Sequence, residues 1–373
     1  MKDACVAGYG TVSPYPVSTE RFLEVDREMR ARHGQSPEVA ELVAKFVEGT
    51  GIVSRHVLHP AWLQPDDPRR GEREDIFTPA DFDPPLWQRE RFWQRHFPPM
   101  AVEAARAALA DWGGDPGDVT HIITTGTSGW IEPGVACEVI HALGLPLDCQ
   151  KAELNFNGCF CGATCLRLAR DIVRGGEAKA VLVVAGESAS THYNPVDTDV
   201  STLVASALFS DGAAAFVLAP EGRWRFEAAG MSLVPDSRHM LTFAPPSRPM
   251  QESYKMFLHR EVGAALGAYF RQGNGRALLD RLVERCGGVL PAMAVHPGGP
   301  NILEAVSEVL LERGWPTDVL AKSFETFHQR GNLGSTAILF VLANMLGDLE
   351  AERLVSFAFG PGVTVEWSLL RRT

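Results

Sequence analysis

Three polar residues set in glycine-rich phrases carry the chemistry this chain could do. Cys159 stands in Gly158-Cys159-Phe160-Cys161-Gly162-Ala163-Thr164-Cys165-Leu166, and Asn332 in the matching phrase Gly331-Asn332-Leu333-Gly334-Ser335-Thr336-Ala337-Ile338-Leu339. Each follows a glycine, precedes small residues and runs into an apolar stretch with helical character. A helix N-terminus presents unpaired N–H groups and the positive end of the dipole, which favours the thiolate of a cysteine placed there. An asparagine in the equivalent place offers a neutral donor. His296, in Val295-His296-Pro297-Gly298-Gly299-Pro300, lies between them in sequence and completes a Cys-His-Asn set. Beside an imidazolium a reactive cysteine titrates at roughly 3.5 to 7.5, so Cys159 is expected to be nucleophilic at neutral pH.

In a cysteine protease the oxyanion is bound by backbone amides and Asn orients the His. Here Asn332 opens its own helix, better placed to donate, with His296, to a substrate oxygen. Such a pair would stabilise the enolate formed when a malonyl thioester loses carbon dioxide. A cysteine at a helix start is often only a buried thiol; the repeated phrase and His296 weigh against that reading. Cys149, Cys159, Cys161 and Cys165 lack the paired C-x2-C spacing of zinc sites, so no metal is expected. Gly360-Pro361-Gly362 reads as a turn, since no helix with Lys-Ser follows it.

The elements that must position these residues alternate. The runs 121–125 and 180–185 read as buried strands, with a helix after Cys159 between them that ends at Gly175-Gly176. The second half repeats the grammar: a strand over 292–295 leading to His296, a helix over 302–313, an apolar helix over 333–346, and a hairpin of 353–359 with 363–369 around Gly360-Pro361-Gly362. This predicts two α/β halves, 1–222 and 223–373, related by duplication. The segment from Pro60 to Pro99, with Trp62, Trp87 and Trp93, is expected to be a helical excursion plus loops near the surface. It reads as a cap or dimer contact, or else as a lid over an apolar channel.

Composition bounds the rest. A chain of 373 residues, 45% hydrophobic and 22% charged, suits a globular protein with one large core or two medium ones. The net charge of −11 argues against a general nucleic-acid binder. No apolar run approaches the ~18 residues of a membrane span, and the start carries no secretory pattern, so a cytoplasmic protein without membrane insertion is expected.

Five phrases resemble, in order and spacing, the type III polyketide synthases, the chalcone synthase superfamily of the thiolase fold. They are Gly158-Cys159-Phe160, Ala207-Leu208-Phe209-Ser210-Asp211-Gly212-Ala213-Ala214, His296-Pro297-Gly298-Gly299-Pro300, Gly331-Asn332-Leu333 and Phe359-Gly360-Pro361-Gly362-Val363-Thr364. The resemblance implies a layered αβαβα thiolase-like fold and a homodimer working without metal or organic cofactor. It implies that Cys159 carries the acyl group while His296 and Asn332 bind the thioester oxygen. It makes Phe209 and Phe257 gatekeepers, Thr127, Thr191, Ala205 and Gly334 chamber-lining positions, and Lys45 and Arg55 candidates for binding CoA. Gly334 departs from the serine of plant members, Ala205 from a glycine, and Ile131-Glu132-Pro133 from the loop that reaches across the dimer. The expected reaction is iterative condensation of malonyl-CoA onto an acyl-CoA starter, a fatty acyl group by analogy with alkylresorcinol and alkylpyrone synthases, followed by cyclisation to a pyrone or resorcinol. The alternative is a single condensation of the ketoacyl carrier-protein synthase III kind.

Overall fold

The computed structural model describes residues 2–77, 83–245 and 253–373. In chain order, the first half contains β1 (Cys5–Val12), β2 (Tyr15–Ser18), α1 (Thr19–Arg32), α2 (Pro37–Thr50), β3 (Ser54–Val57), α3 (Leu86–Trp112), β4 (Val119–Thr125), α4 (Val135–Leu143), β5 (Gln150–Glu153), α5 (Cys161–Gly175), β6 (Ala180–Glu187), α6 (Val200–Leu208) and β7 (Gly212–Ala219). The second contains β8 (Trp224–Leu233), β9 (Leu241–Ala244), β10 (Lys255–Leu258), α7 (Val262–Arg271), α8 (Gly273–Arg285), β11 (Ala292–Val295), α9 (Pro300–Glu312), α10 (Ala321–Arg330), α11 (Ala337–Leu346), β12 (Arg353–Gly360) and β13 (Thr364–Arg372).

Among the described residues nine strands form one sheet in the order β11-β12-β13-β8-β1-β7-β6-β4-β5. The strands up to β7 lie on one side and those from β8 onward on the other, joined where Cys5 and Val6 pair with Arg225 and Trp224. Successive strand residues face opposite sides, and each side has its own helices. Val181, Val183 and Ala185 of β6, with Phe216 and Leu218 of β7, pack on the side of α5 and α11. Leu182 and Val184 pack with Ala101, Ala104 and Val139 of α3 and α4. In the second half Leu354, Ala358 and Leu370 join the α5–α11 side, while Val355, Phe357 and Phe359 pack with Leu266, Leu279 and Leu303 of α7, α8 and α9. The result is helix, sheet, helix, sheet, helix, an α/β thiolase-like arrangement with α5 and α11 at its centre. No helix among the described residues is long and apolar enough to cross a membrane.

The central pair explains why glycines flank the polar residues. On α5, Cys161, Cys165, Leu166, Ala169 and Val173 form one buried face, and Gly176 closes the helix at φ 95°. A Cβ on Gly162 would lie 2.3 Å from the Ser335 carbonyl oxygen. The start of α5 therefore touches the turn before α11, which brings the Cys159 loop against the Asn332 loop.

Two expectations change. The helix expected from Leu333 begins at Ala337, because Gly334–Thr336 form a separate 3-10 turn with Gly334 at φ 57°. The segment 60–99 lies at the surface, as expected, only over 64–75. Trp62 and Trp93 are buried, Trp87 alone of the three is exposed, and α3 passes through Pro98 and Pro99 to lie along β1 and β7. The apolar positions of α3 pack on the sheet, so that part of the segment is core; residues 78–82 lie outside the described residues.

Candidate active site

Cys159 sits immediately before Phe160, the N-cap of α5, half-buried on the wall of a cavity of about 270 Å³. Gly158 before it adopts φ 95°, and a Cβ there would lie 2.2 Å from Pro361 Cδ, so the hairpin turn between β12 and β13 presses on the Cys159 loop. The same cavity is lined by His296, Asn332, Thr127, Ala205, Phe209, Gly334 and Arg55.

His296 directly follows β11, its N–H donating to Phe357 O at 2.8 Å. Its ring is buried, with Nδ1 unpartnered among the described residues. A Cβ on Gly298 would lie 3.2 Å from the imidazole Nε2, so the His-Pro-Gly-Gly-Pro loop folds back on its own histidine. Asn332 is fixed at four points. Its N–H donates to Leu208 O at 2.8 Å, its carbonyl accepts from Ser210 N at 3.0 Å, its Oδ1 accepts from Gly334 N at 2.9 Å, and its Nδ2 donates to Gly298 O at 3.1 Å. One Nδ2 proton remains for a ligand.

The electrostatics correct the expectation of a resting thiolate. Burial, with the Glu187 carboxylate adding to it, pushes the Cys159 thiol up to about 12. Burial pushes His296 down to about 3. In a chamber this dry the neutral thiol and neutral imidazole outweigh the helix dipole.

Glu187, at the end of β6, is a site residue that sequence reasoning missed. It is buried and accepts from Thr127 N at 3.0 Å, Thr127 Oγ1 at 3.0 Å, Ser335 N at 3.2 Å and Ser335 Oγ at 2.5 Å. Burial holds its carboxyl above the usual range, against the pull of these bonds. A lone carboxylate closing an otherwise apolar strand was the available signal.

Several predicted positions lie elsewhere. Phe257 is 53% exposed, while its strand neighbours Met256 and Leu258 line the cavity. Thr191 is buried with its Oγ1 at 2.6 Å from Ser188 Oγ, and His192 lines the cavity in its place. Lys45 is exposed on α2, away from the cavity wall. Arg55 lines the cavity but is only 1% exposed, stacked over the Phe22 ring, so it is no surface phosphate ligand. For Phe257 the miss is a shift of one position, which in extended chain reverses the face a side chain takes; Thr191 lies in the 3-10 turn Ala189–His192, where one position rotates the side chain by about a third of a turn.

The family model for the N-terminal domain of chalcone and stilbene synthases matches residues 72–221, and that for the C-terminal domain matches residues 280–373. The chain belongs to the chalcone and stilbene synthase family. Its members are type III polyketide synthases, acyltransferases that form carbon–carbon bonds by condensation. This polyketide synthase is 31% identical to bisdemethoxycurcumin synthase of Oryza sativa subsp. japonica over 336 residues, covering 84% of the chain and 77% of that protein. It is 26% identical over 344 residues to probable polyketide synthase 1 of Dictyostelium discoideum, covering 90% of the chain but 10% of that much longer protein. The fold matches the C-terminal type III polyketide synthase domain of a Dictyostelium type I/III hybrid at a TM-score of 0.84 and 23% identity, covering 99% of each chain. It matches PKS-I of the brown alga Ectocarpus siliculosus at 0.86 and 22%, covering 100% of this chain and 99% of that one.

Proposed function

We propose that the protein extends an acyl-CoA starter, fatty acyl in character, by repeated decarboxylative condensation with malonyl-CoA and cyclises the product to a pyrone or resorcinol. The observation that carries this reading is the immobilised Asn332 amide, with a donor to spare, beside His296 and Cys159 on one cavity wall.

In the loading step the Cys159 sulfur attacks the starter thioester, its proton passes to the neutral His296 ring, and CoA leaves as the thiol after taking a proton. Malonyl-CoA then places its thioester oxygen against Asn332 Nδ2 and His296. Loss of carbon dioxide leaves the electron pair as an enolate that these donors stabilise. The enolate carbon attacks the acyl-Cys159 carbonyl, forms the new carbon–carbon bond and expels the Cys159 sulfur. Phe209, beside Asn332 in a backbone bridge, acts as the gatekeeper. The protein works as a homodimer of two duplicated halves, 1–222 and 223–373.

The test is incubation with labelled malonyl-CoA and acetyl-, aromatic and medium- to long-chain acyl-CoA starters, products being resolved by mass with Cys159→Ala as control. Ring products carrying several added two-carbon units support the reading. A single ketoacyl product, or extension by the Cys159→Ala protein, sinks it.

A further inference from the structure

One part of the chamber wall holds buried donors that the protein leaves unmet. The Arg55 guanidinium, on β3, lies 3.9 Å from the centre of the Phe22 ring and makes one hydrogen bond, from Nη1 to Ser206 O at 3.1 Å. Its Nε and Nη2 have no partner among the described residues, nor do Trp62 Nε1 and Arg30 Nη2. These groups form one cluster: the Trp62 ring lies 6.3 Å from Phe22 and 5.1 Å from Tyr193, and Arg30 lies 6.0 Å from the Tyr193 ring centre. The acid among them is engaged. Asp26 takes Arg30 Nε on both oxygens at 3.0 Å and the Tyr193 hydroxyl at 2.5 Å. The cluster thus buries two guanidinium charges against one carboxylate. A buried cation has lost its hydration, and only an acceptor restores what was lost. Burial lowers the Arg55 guanidinium to about 10, which leaves it charged at neutral pH.

The unmet atoms have a shape. Nε–H and Nη2–H form one edge of the guanidinium fork, the edge that takes both oxygens of a carboxylate in parallel. Arg55, Phe22, Trp62 and Tyr193 line the cavity that holds Cys159. Arg55 and Cys159 reach that cavity from different elements, β3 and the loop before α5. Phe22, Val57 and Leu208, on the same wall, offer apolar surface for methylene groups.

We propose that Arg55 receives a carboxylate at the far end of the starter, so that the acyl group loaded on Cys159 comes from the monothioester of a dicarboxylic acid. This narrows the starter class and rests on the reading of Cys159 as the acyl carrier. Because the Arg55 burial is already present in the free protein, pairing adds the interaction without a second desolvation of the guanidinium. In the free protein the Nε and Nη2 edge is covered, so entry of the carboxylate displaces a covering side chain; a plain alkyl end has nothing to offer in exchange.

The test compares starters of equal length, adipyl-CoA with hexanoyl-CoA and suberyl-CoA with octanoyl-CoA, by kcat/KM for malonyl incorporation. It also measures binding of suberyl-CoA and octanoyl-CoA to the Cys159→Ala protein, which cannot be loaded, by calorimetry. The expected result is at least about a tenfold preference for the dicarboxylic member in both arms, since one paired buried charge is worth a factor of that order. Arg55→Met should abolish the preference and Arg55→Lys should keep part of it. Preference for the alkyl member in the unmodified protein, or a ratio unchanged in Arg55→Met, overturns the proposal. Where Arg55→Met does not fold, the unmodified protein decides alone. Preferential binding of suberyl-CoA without extension of any starter would sink the polyketide reading while leaving the Arg55 site standing.

Discussion

The phrases around Cys159 and Asn332 look alike in sequence, yet the structure uses them in opposite ways. Cys159 runs straight into α5 through the cap residue Phe160. Asn332 is separated from α11 by a 3-10 turn and is tied through backbone and side chain to Leu208, Ser210, Gly298 and Gly334. One phrase leaves its cysteine untethered; the other immobilises an amide donor. A nucleophile must move between acylation and release, whereas a group that stabilises a developing oxyanion works best when it does not have to reorganise.

Substitutions test this contrast. Cys159→Ala should reduce label incorporation from malonyl-CoA to background, and residual extension would remove Cys159 from the role of carrier. Asn332→Ala should slow malonyl-CoA decarboxylation by about 10²–10³-fold, the cost of losing one preorganised oxyanion donor; an unchanged rate of carbon dioxide release would show that His296 suffices. Alkylation of Cys159 by iodoacetamide should rise about tenfold per pH unit between pH 7 and pH 9. A thiol held up to about 12 is far from fully ionised throughout that interval. A flat profile above pH 7 would instead mean that the thiolate–imidazolium pair forms in solution. Gly334→Ser should cost about 1–3 kcal/mol in chemical denaturation, because φ 57° disfavours a side chain and its Cβ would lie 2.7 Å from Glu187 Cγ. A neutral result there would mean that the turn before α11 is less rigid than the contacts to Glu187 imply.

The sequence made legible what depends on type and local spacing. The apolar runs of β4 and β6, the helix after Cys159 and the loop at His296 are local patterns, and their residues appear where they were expected. What escaped depends on neighbours distant in sequence. Glu187 looks like an ordinary strand-end acid until Thr127 and Ser335, on separate elements, close around it. Phe257 was misplaced by one residue because no local signal fixes which face of a short strand points inward, and Thr191 because none announces the 3-10 turn Ala189–His192 that sets its direction. Trp62 and Arg55 were misread because burial of a tryptophan or an arginine is decided by what packs over it, here α1 through Phe22 and the loop around Tyr193.

The bridge between Phe209 and Asn332 has a mechanical consequence. Backbone bonds from Asn332 N to Leu208 O and from Ser210 N to Asn332 O lace the residues on either side of Phe209 to the donor. If Phe209 is the doorway and Asn332 the electrostatic clamp, as proposed, the two are a single rigid part, so a motion that widened the entrance would also carry the amide off its mark. Admission of an extender and the readiness to decarboxylate it would then be geared together, and a thioester caught half-way through the door would meet a site out of alignment.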